Sequence, residues 1–173
     1  MATYRRNEYM GVDFNVFVNG FSLIGITTEV SIPDIEMTGV ESDSSSAGKL
    51  TYYYGAVENM ELEFTVGGVD PLIHYEMAKL NSGKIRLKEA LSQGKINETT
   101  GVEFEIEGQI SSISGDKMKR GEKKEVTIKM GSIHVFIKRI NGIKVCEIDK
   151  PRGICRPDGI TDVLAHSRNY VTS

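Results

Sequence analysis

The stretch SSSAGKLTYYYG, from Ser44 to Gly55, holds the residues most suggestive of chemistry. A lysine behind a glycine is what a phosphate-cradling loop uses. The pattern GxxxxGK[ST], however, needs glycine where Asp43 stands and Ser or Thr where Leu50 stands. The backbone cradle and the hydroxyl for magnesium are therefore both missing. His74, His134 and His166 are scattered, with no pair at metal-ligand spacing. No nucleophile elbow, HExxH or calcium-loop pattern occurs. Cys146 and Cys155 lack CxxC spacing and read as two reduced thiols, with a disulfide closing the short loop between them as the alternative. Carboxylates recur at every second position, as Glu61 and Glu63 and again as Glu103, Glu105 and Glu107, without an evident acid–base partner. The expectation is a protein with no catalytic residues, no cofactor and no metal. The acidic stripes have two readings. One is a solvated sheet face with Arg86, Lys88, Lys124 or Lys129 as cross-strand partners. The other is an acidic wall that a polyanion slides past without sticking.

The elements that would carry these residues are mostly strands. In VDFNVFVNGFSLIGITTEVSI, Val12, Phe14, Val16 and Val18 alternate with polar residues, and Asn19-Gly20 supplies a hairpin turn. Met60, Leu62, Phe64 and Val66 share one face of the cleanest strand, opposite Glu61, Glu63 and Thr65. Val102, Phe104 and Ile106 oppose the three glutamates in the same way. Val126, Ile128 and Met130 run in one phase and Ile133, Val135 and Ile137 in the other, so a bulge is expected at Gly131 between them. Asn141-Gly142 makes a second hairpin turn. Residues 38–50 have almost no apolar content and read as a long loop.

Two segments switch to a helical period. Asp70, Pro71 and Gly83 bracket a helix over 71–81, with Ile73, Met77 and Leu80 as the stripe packed on the sheet. Ile160, Val163 and Leu164 trace a short C-terminal helix over 159–169, with Asp158 as its cap. The fold class is mainly β: a β-sandwich or partly open barrel of about eight antiparallel strands with these helices. The chain, 173 residues with 18 glycines, reads as a single domain spanning 1–173. Its net charge of −3 lacks the basic excess of a duplex-binding protein. No apolar run approaches the ~20 residues of a membrane-spanning helix. MATYRRNEYMG has no signal-peptide character, so Asn97-Glu98-Thr99 is not expected to be glycosylated.

The ordered set FNVFVNG, SIPDIEM, AGKLTYYYG, ENMELEFTVGGVDP, VEFEIEGQISSISGDKMKRGEKKEVTIKM, INGIKVCEID and DGITDVLAHSR resembles the major tail tube proteins of contractile-tailed phages and R-type bacteriocins, over about residues 12 to 168. The resemblance implies homo-hexameric rings stacked into the inner tube of a contractile tail. That tube conducts DNA and is the needle that the sheath drives. Tail sheath, baseplate and tail terminator proteins are the implied partners. Assembly in the host bacterial cytoplasm and residence in the virion follow from it. Residues 39–55 would then be a long inter-subunit loop and residues 1–11 an N-terminal arm. Contacts are expected at Ser44, Ser45, Ser46, Lys49, Tyr52, Tyr53 and Tyr54, and at Tyr4, Arg5 and Arg6. Glu103, Glu105 and Glu107, then Glu61 and Glu63, are expected to line the lumen. Two rivals are a type VI-like secretion tube that carries effectors and a monomeric small-molecule-binding β-barrel with a sealed apolar interior. An enzyme would instead need a cleft with perturbed titratable groups.

Overall fold

A computed structural model of the chain describes residues 9–45, 48–68, 83–93, 99–115 and 123–172. The expected helix over 71–81 lies outside these residues. Eleven strands are present among them: β1 Met10–Val18, β2 Phe21–Ser22, β3 Thr27–Ser31, β4 Met37–Ser45, β5 Gly48–Val57, β6 Leu62–Gly67, β7 Gly83–Ser92, β8 Thr99–Gly115, β9 Glu125–Ile140, β10 Ile143–Asp149 and β11 Ile154–Arg156. Every pairing among them is antiparallel. The helix α1, Ala165–Thr172, follows.

Nine strands form one branched sheet. Its long run has the order β11-β10-β9-β8-β7-β1-β2. β9 pairs with β8 along most of one edge. On its other edge it takes β6 at residues 125–130 and β10 at residues 135–140. The sheet therefore has two arms, β3–β6 and the long run, and both include parts of β8 and β9. The arms close over one core. Leu62, Phe64, Val66, Ile128 and Met130 come from the first arm, and Val16, Ile85, Ile106, Phe136 and Ile148 from the second. The sheet does not close into a barrel.

The point of branching is the predicted bulge. Glu107 opposes Val135 while Gln109 opposes Gly131, so three residues of β9 face one residue of β8. Ser132 takes a φ of 50° within this insertion. Gly108 lies against it: a Cβ there would sit 3.1 Å from Ile133 Cα and 3.1 Å from Met130 Sδ. After the bulge it is Ile133 and Phe136 that enter the core, while Val135 and Ile137 lie half-buried opposite Glu107 and Glu105. The two Asn-Gly turns form as expected, with φ of 49° and 90° at Asn19-Gly20 and 49° and 79° at Asn141-Gly142.

Two expectations are corrected. The described residues of the expected loop 39–55, namely 39–45 and 48–55, are strand: they make up most of a two-stranded sheet, β4 on β5, separate from the main sheet. Backbone pairing makes these strands without any apolar alternation on β4. The C-terminal helix begins at Ala165 rather than 159. Asp158 accepts hydrogen bonds from the Ile160 and Thr161 N–H groups at 2.9 and 2.6 Å, and Asp162 from Leu164 N–H at 3.1 Å. These local turns compete with helix over 158–164.

Candidate assembly surfaces

The first surface is the β4–β5 arm. Val40 pairs with Tyr52 and Ser42 with Leu50, so Val40, Leu50 and Tyr52 share a face. All three are exposed. On the opposite face Gly39 pairs with Tyr53, and a Cβ at Gly39 would lie 3.1 Å from Tyr53 Cε1, so the ring lies across the glycine. Glu41 and Lys49 form an ion pair at 3.3 Å beside it. Tyr52 and Tyr53 remain 59% and 68% exposed. Lys49 is thus a strand residue with a carboxylate partner, not the lysine of a strand-to-helix phosphate loop. Of the remaining predicted contacts, Ser44 and Ser45 lie on β4 and Tyr54 on β5. Ser46, Tyr4, Arg5 and Arg6 lie outside the described residues.

The second surface is the face of the long run that points away from the core. Alternation places Lys84, Arg86 and Lys88 on β7 directly opposite Glu107, Glu105 and Glu103 on β8. Their ion pairs measure 2.7, 2.8 and 2.8 Å. Arg139 on β9 reaches the second oxygen of Glu105 at 3.0 Å. Two strands further, Glu147 holds Lys144 at 2.7 Å and Arg156 at 2.8 Å. The pattern is a ladder in which each of these glutamates carries a cation, so the face is charge-compensated rather than acidic. Glu63 is paired in the same way with Lys129 at 2.7 Å, and Glu61 is exposed. Lys84 and Arg139 escaped the sequence reading because their partners depend on the β7–β8–β9 register.

The titrations follow the geometry. Partial burial pushes the Glu105 carboxyl up, but the hydrogen bond and charge of Arg139 and the charge of Arg86 outweigh it, and its pKa falls below the usual range. The hydrogen bond from Lys144 leads the lowering of Glu147, against a smaller effect of burial and with help from Arg156. These are structural ion pairs, and a groove of about 610 Å³ runs beside them. The groove, lined by Phe17, Asn19, Gly20, Lys84, Arg86 and Lys88, is open to solvent.

Other chemistry is thin. Among the described residues no group of three or more His, Cys, Asp or Glu side chains could hold a metal ion. Cys146 and Cys155 are buried free thiols, and burial is the main force raising both pKa values. No polar or charged residue is buried among the described residues, so the core they form is apolar. A pocket of 100 Å³ between the arms, lined by Phe14, Val30, Ile32, Leu87 and Phe104 among others, is below the usual ligand-site volume of about 300–1,000 Å³. No helix among the described residues is long and apolar enough to cross a membrane.

Comparison with known proteins agrees with this picture. The profile of the family described as phage tail tube protein FII matches residues 12–171. The tail tube protein of Escherichia phage P2 is 25% identical over 185 residues, covering 98% of each chain. Two solved structures share the fold. A chain from the sheath/tube terminator of the extracellular contractile injection system PVC, in its extended state, aligns with a TM-score of 0.51 at 15% identity, over 80% of this chain and 96% of its own. A chain of the anti-feeding prophage tube-terminating cap aligns with a TM-score of 0.54 at 15% identity, over 81% and 89%.

Proposed function

The chain belongs to the phage tail tube protein FII family, the structural subunits of a tail tube, and from that premise we propose that six copies close into a ring whose stacks form the tube. The observation that carries this reading is the β4–β5 arm. It is a hairpin paired with no other described strand, and it exposes Val40, Leu50 and Tyr52 on one face. An isolated two-stranded hairpin is marginal in water, and exposed aromatic surface marks contact sites. A neighbouring copy supplies the missing partner. The ends of the long run support the same conclusion. β2 and β11 are terminal strands of the path, and ring closure pairs such edges that a monomer would have to protect. Stacking of rings is a heterologous contact that does not close, so it yields a filament.

In this tube the charge ladder faces the lumen, with Glu103, Glu105 and Glu107 at its centre and Glu61 and Glu63 on the β6 arm. DNA passes along it without specific binding. The physical basis is compensation: each cation of β7 is held by a carboxylate of β8, so no run of free cations is offered to phosphate. Sheath, baseplate and terminator proteins meet the outer wall and the ends of the tube. The protein has no catalytic role, and its site of action is the virion after assembly in the host cytoplasm.

Deletion of residues 42–48 tests the arm. The expected product is a folded subunit that forms neither rings nor tubes by negative-stain microscopy. Tubes of normal appearance from the deleted chain would refute the inter-subunit role.

A further inference from the structure

We propose that residues 158–164 are a positioning latch that sets the direction in which the β4–β5 arm leaves the body. The proposal rests on the reading of that arm as an inter-subunit contact. The arm bends at Gly55. Met37 pairs with Val57 and Gly39 with Tyr53, so three residues of β5 face one of β4 around this glycine. Its φ of 80° is one that side-chain-bearing residues rarely adopt. A Cβ built on it would lie 3.0 Å from Val163 Cγ2 and 3.2 Å from Leu164 Cδ2. The C-terminal segment therefore lies directly on the backbone of the bend.

That segment is itself held at both ends. Asp158 caps the first turn through Ile160 and Thr161. Asp162 accepts from the Cys155 N–H at 3.3 Å, and Val163 N–H donates to the Cys155 carbonyl at 2.9 Å. Leu164 then packs against the core together with Met37 and Val57, at the base of the arm. On the body side of the bend, Glu58 N–H donates to the Glu36 carbonyl at 2.9 Å, and Lys150 Nζ donates to the Glu58 carbonyl at 2.9 Å. On the far side, β4 and β5 pair only with each other among the described strands. A hairpin cannot fix its own angle to a body it does not pair with. Here the base is pinned, and Val163 and Leu164 set the bend. Gly55, Val163 and Leu164 are thus positioning residues for assembly, acting through the arm and not by touching the neighbour.

Pulsed electron paramagnetic resonance on the full chain tests this. Spin labels go on Lys49→Cys in the arm and Ile143→Cys on the body, measured in dilute, unassembled subunit; the two native thiols are buried and stay unlabelled. The parent should give a narrow distance distribution. Val163→Ala/Leu164→Ala should broaden it at least twofold, and Gly55→Ala should displace its mean. Should Gly55→Ala fail to fold, Leu164→Val gives a milder broadening at the same contact. Tube yield by sedimentation should fall about tenfold, a 1.4 kcal/mol change in the assembly equilibrium, in each variant with a disturbed distribution. Identical distributions in parent and latch variants overturn the latch, whatever happens to assembly. Disturbed distributions with unchanged tube yield uphold the latch as geometry and overturn its role in assembly. Separately, normal tubes after deletion of 42–48 would sink the arm's role without touching the distance result.

Discussion

Glu105→Gln is the sharpest probe of the charge ladder. The carboxylate bridges β7 and β9 across β8, with Arg86 at 2.8 Å on one oxygen and, from the neighbouring row, Arg139 at 3.0 Å on the other. Its side chain is 19% exposed and that of Arg139 25%, whereas Arg86 is 48% exposed. Exposed pairs contribute about 0.2–1 kcal/mol, so Arg86 counts near the lower end and Arg139 near the upper. Glutamine keeps one acceptor but loses the charge. The expected loss is about 1 kcal/mol, or about 2–4 °C in Tm for a chain of this length. The sign with pH is fixed by linkage. The folded pKa of Glu105 is depressed, so its contribution is present above the unfolded value of about 4.3 and disappears as pH falls through the folded value. Thermal melts of the unassembled subunit near pH 7 and at successively lower pH below about 4.3 should show the full gap between parent and variant at the first and a progressively narrower one after it. A variant within about 0.3 kcal/mol of the parent near pH 7 would refute the bridge. So would an equal gap at every pH, which would place the effect in packing and not in charge.

Three further outcomes are expected. Replacing Glu103, Glu105 and Glu107 together by lysine leaves Lys84, Arg86 and Lys88 without partners. If tubes form, they should retain DNA and eject it poorly, and normal infectivity would argue that this face does not meet DNA. Gly108→Ala should cost about 1–3 kcal/mol, because its Cβ meets the backbone of Ile133, while Gly101→Ala, where a Cβ meets nothing, should stay within about 0.5 kcal/mol; urea denaturation compares them. Cys146 and Cys155 should not react with a thiol reagent near pH 8 until the chain is unfolded. Since both folded pKa values are raised, the stability they confer is complete below the unfolded value of about 8.5 and is lost as pH climbs through the folded values, which a urea midpoint series across that range would show.

Local rules were enough for much of this fold. The two Asn-Gly turns, the Met60–Val66 strand and the phase change at Gly131 each depend on a few adjacent residues, and each is where the sequence places it. The arm was missed for a physical reason. Thr38 to Ser42 include no buried residue and the segment carries no period-2 apolar alternation, so its strand follows from pairing with β5. The glycine in the middle of LTYYYGAV was the available hint of a bend, since glycine inside a strand often marks one. The partners of the glutamates were half legible. Arg86 and Lys88 share a local alternation, but Arg139 requires knowing that β9 crosses Glu105 after a three-residue insertion. At the C-terminus, Asp158 was read as a helix cap, but with Asp162 it sustains turns that delay α1 by six residues relative to the expected start at 159.

The long strands β8 and β9 belong to both arms of the sheet, and this governs the order in which the chain can fold. β1 can meet β2 and β6 can meet β3 early, but β1 gains its long partner only when β7 has been made, and β6 its second partner only when β9 has. Neither arm can be finished before the hairpin of residues 99–140 leaves the ribosome. Non-local pairing of this kind makes folding slow. It also makes folding cooperative, because no half of the chain contains a complete core. A nascent subunit therefore has strands with an unpaired edge through most of its synthesis, and the β8–β9 pair, once extruded, serves as the template on which both arms are completed.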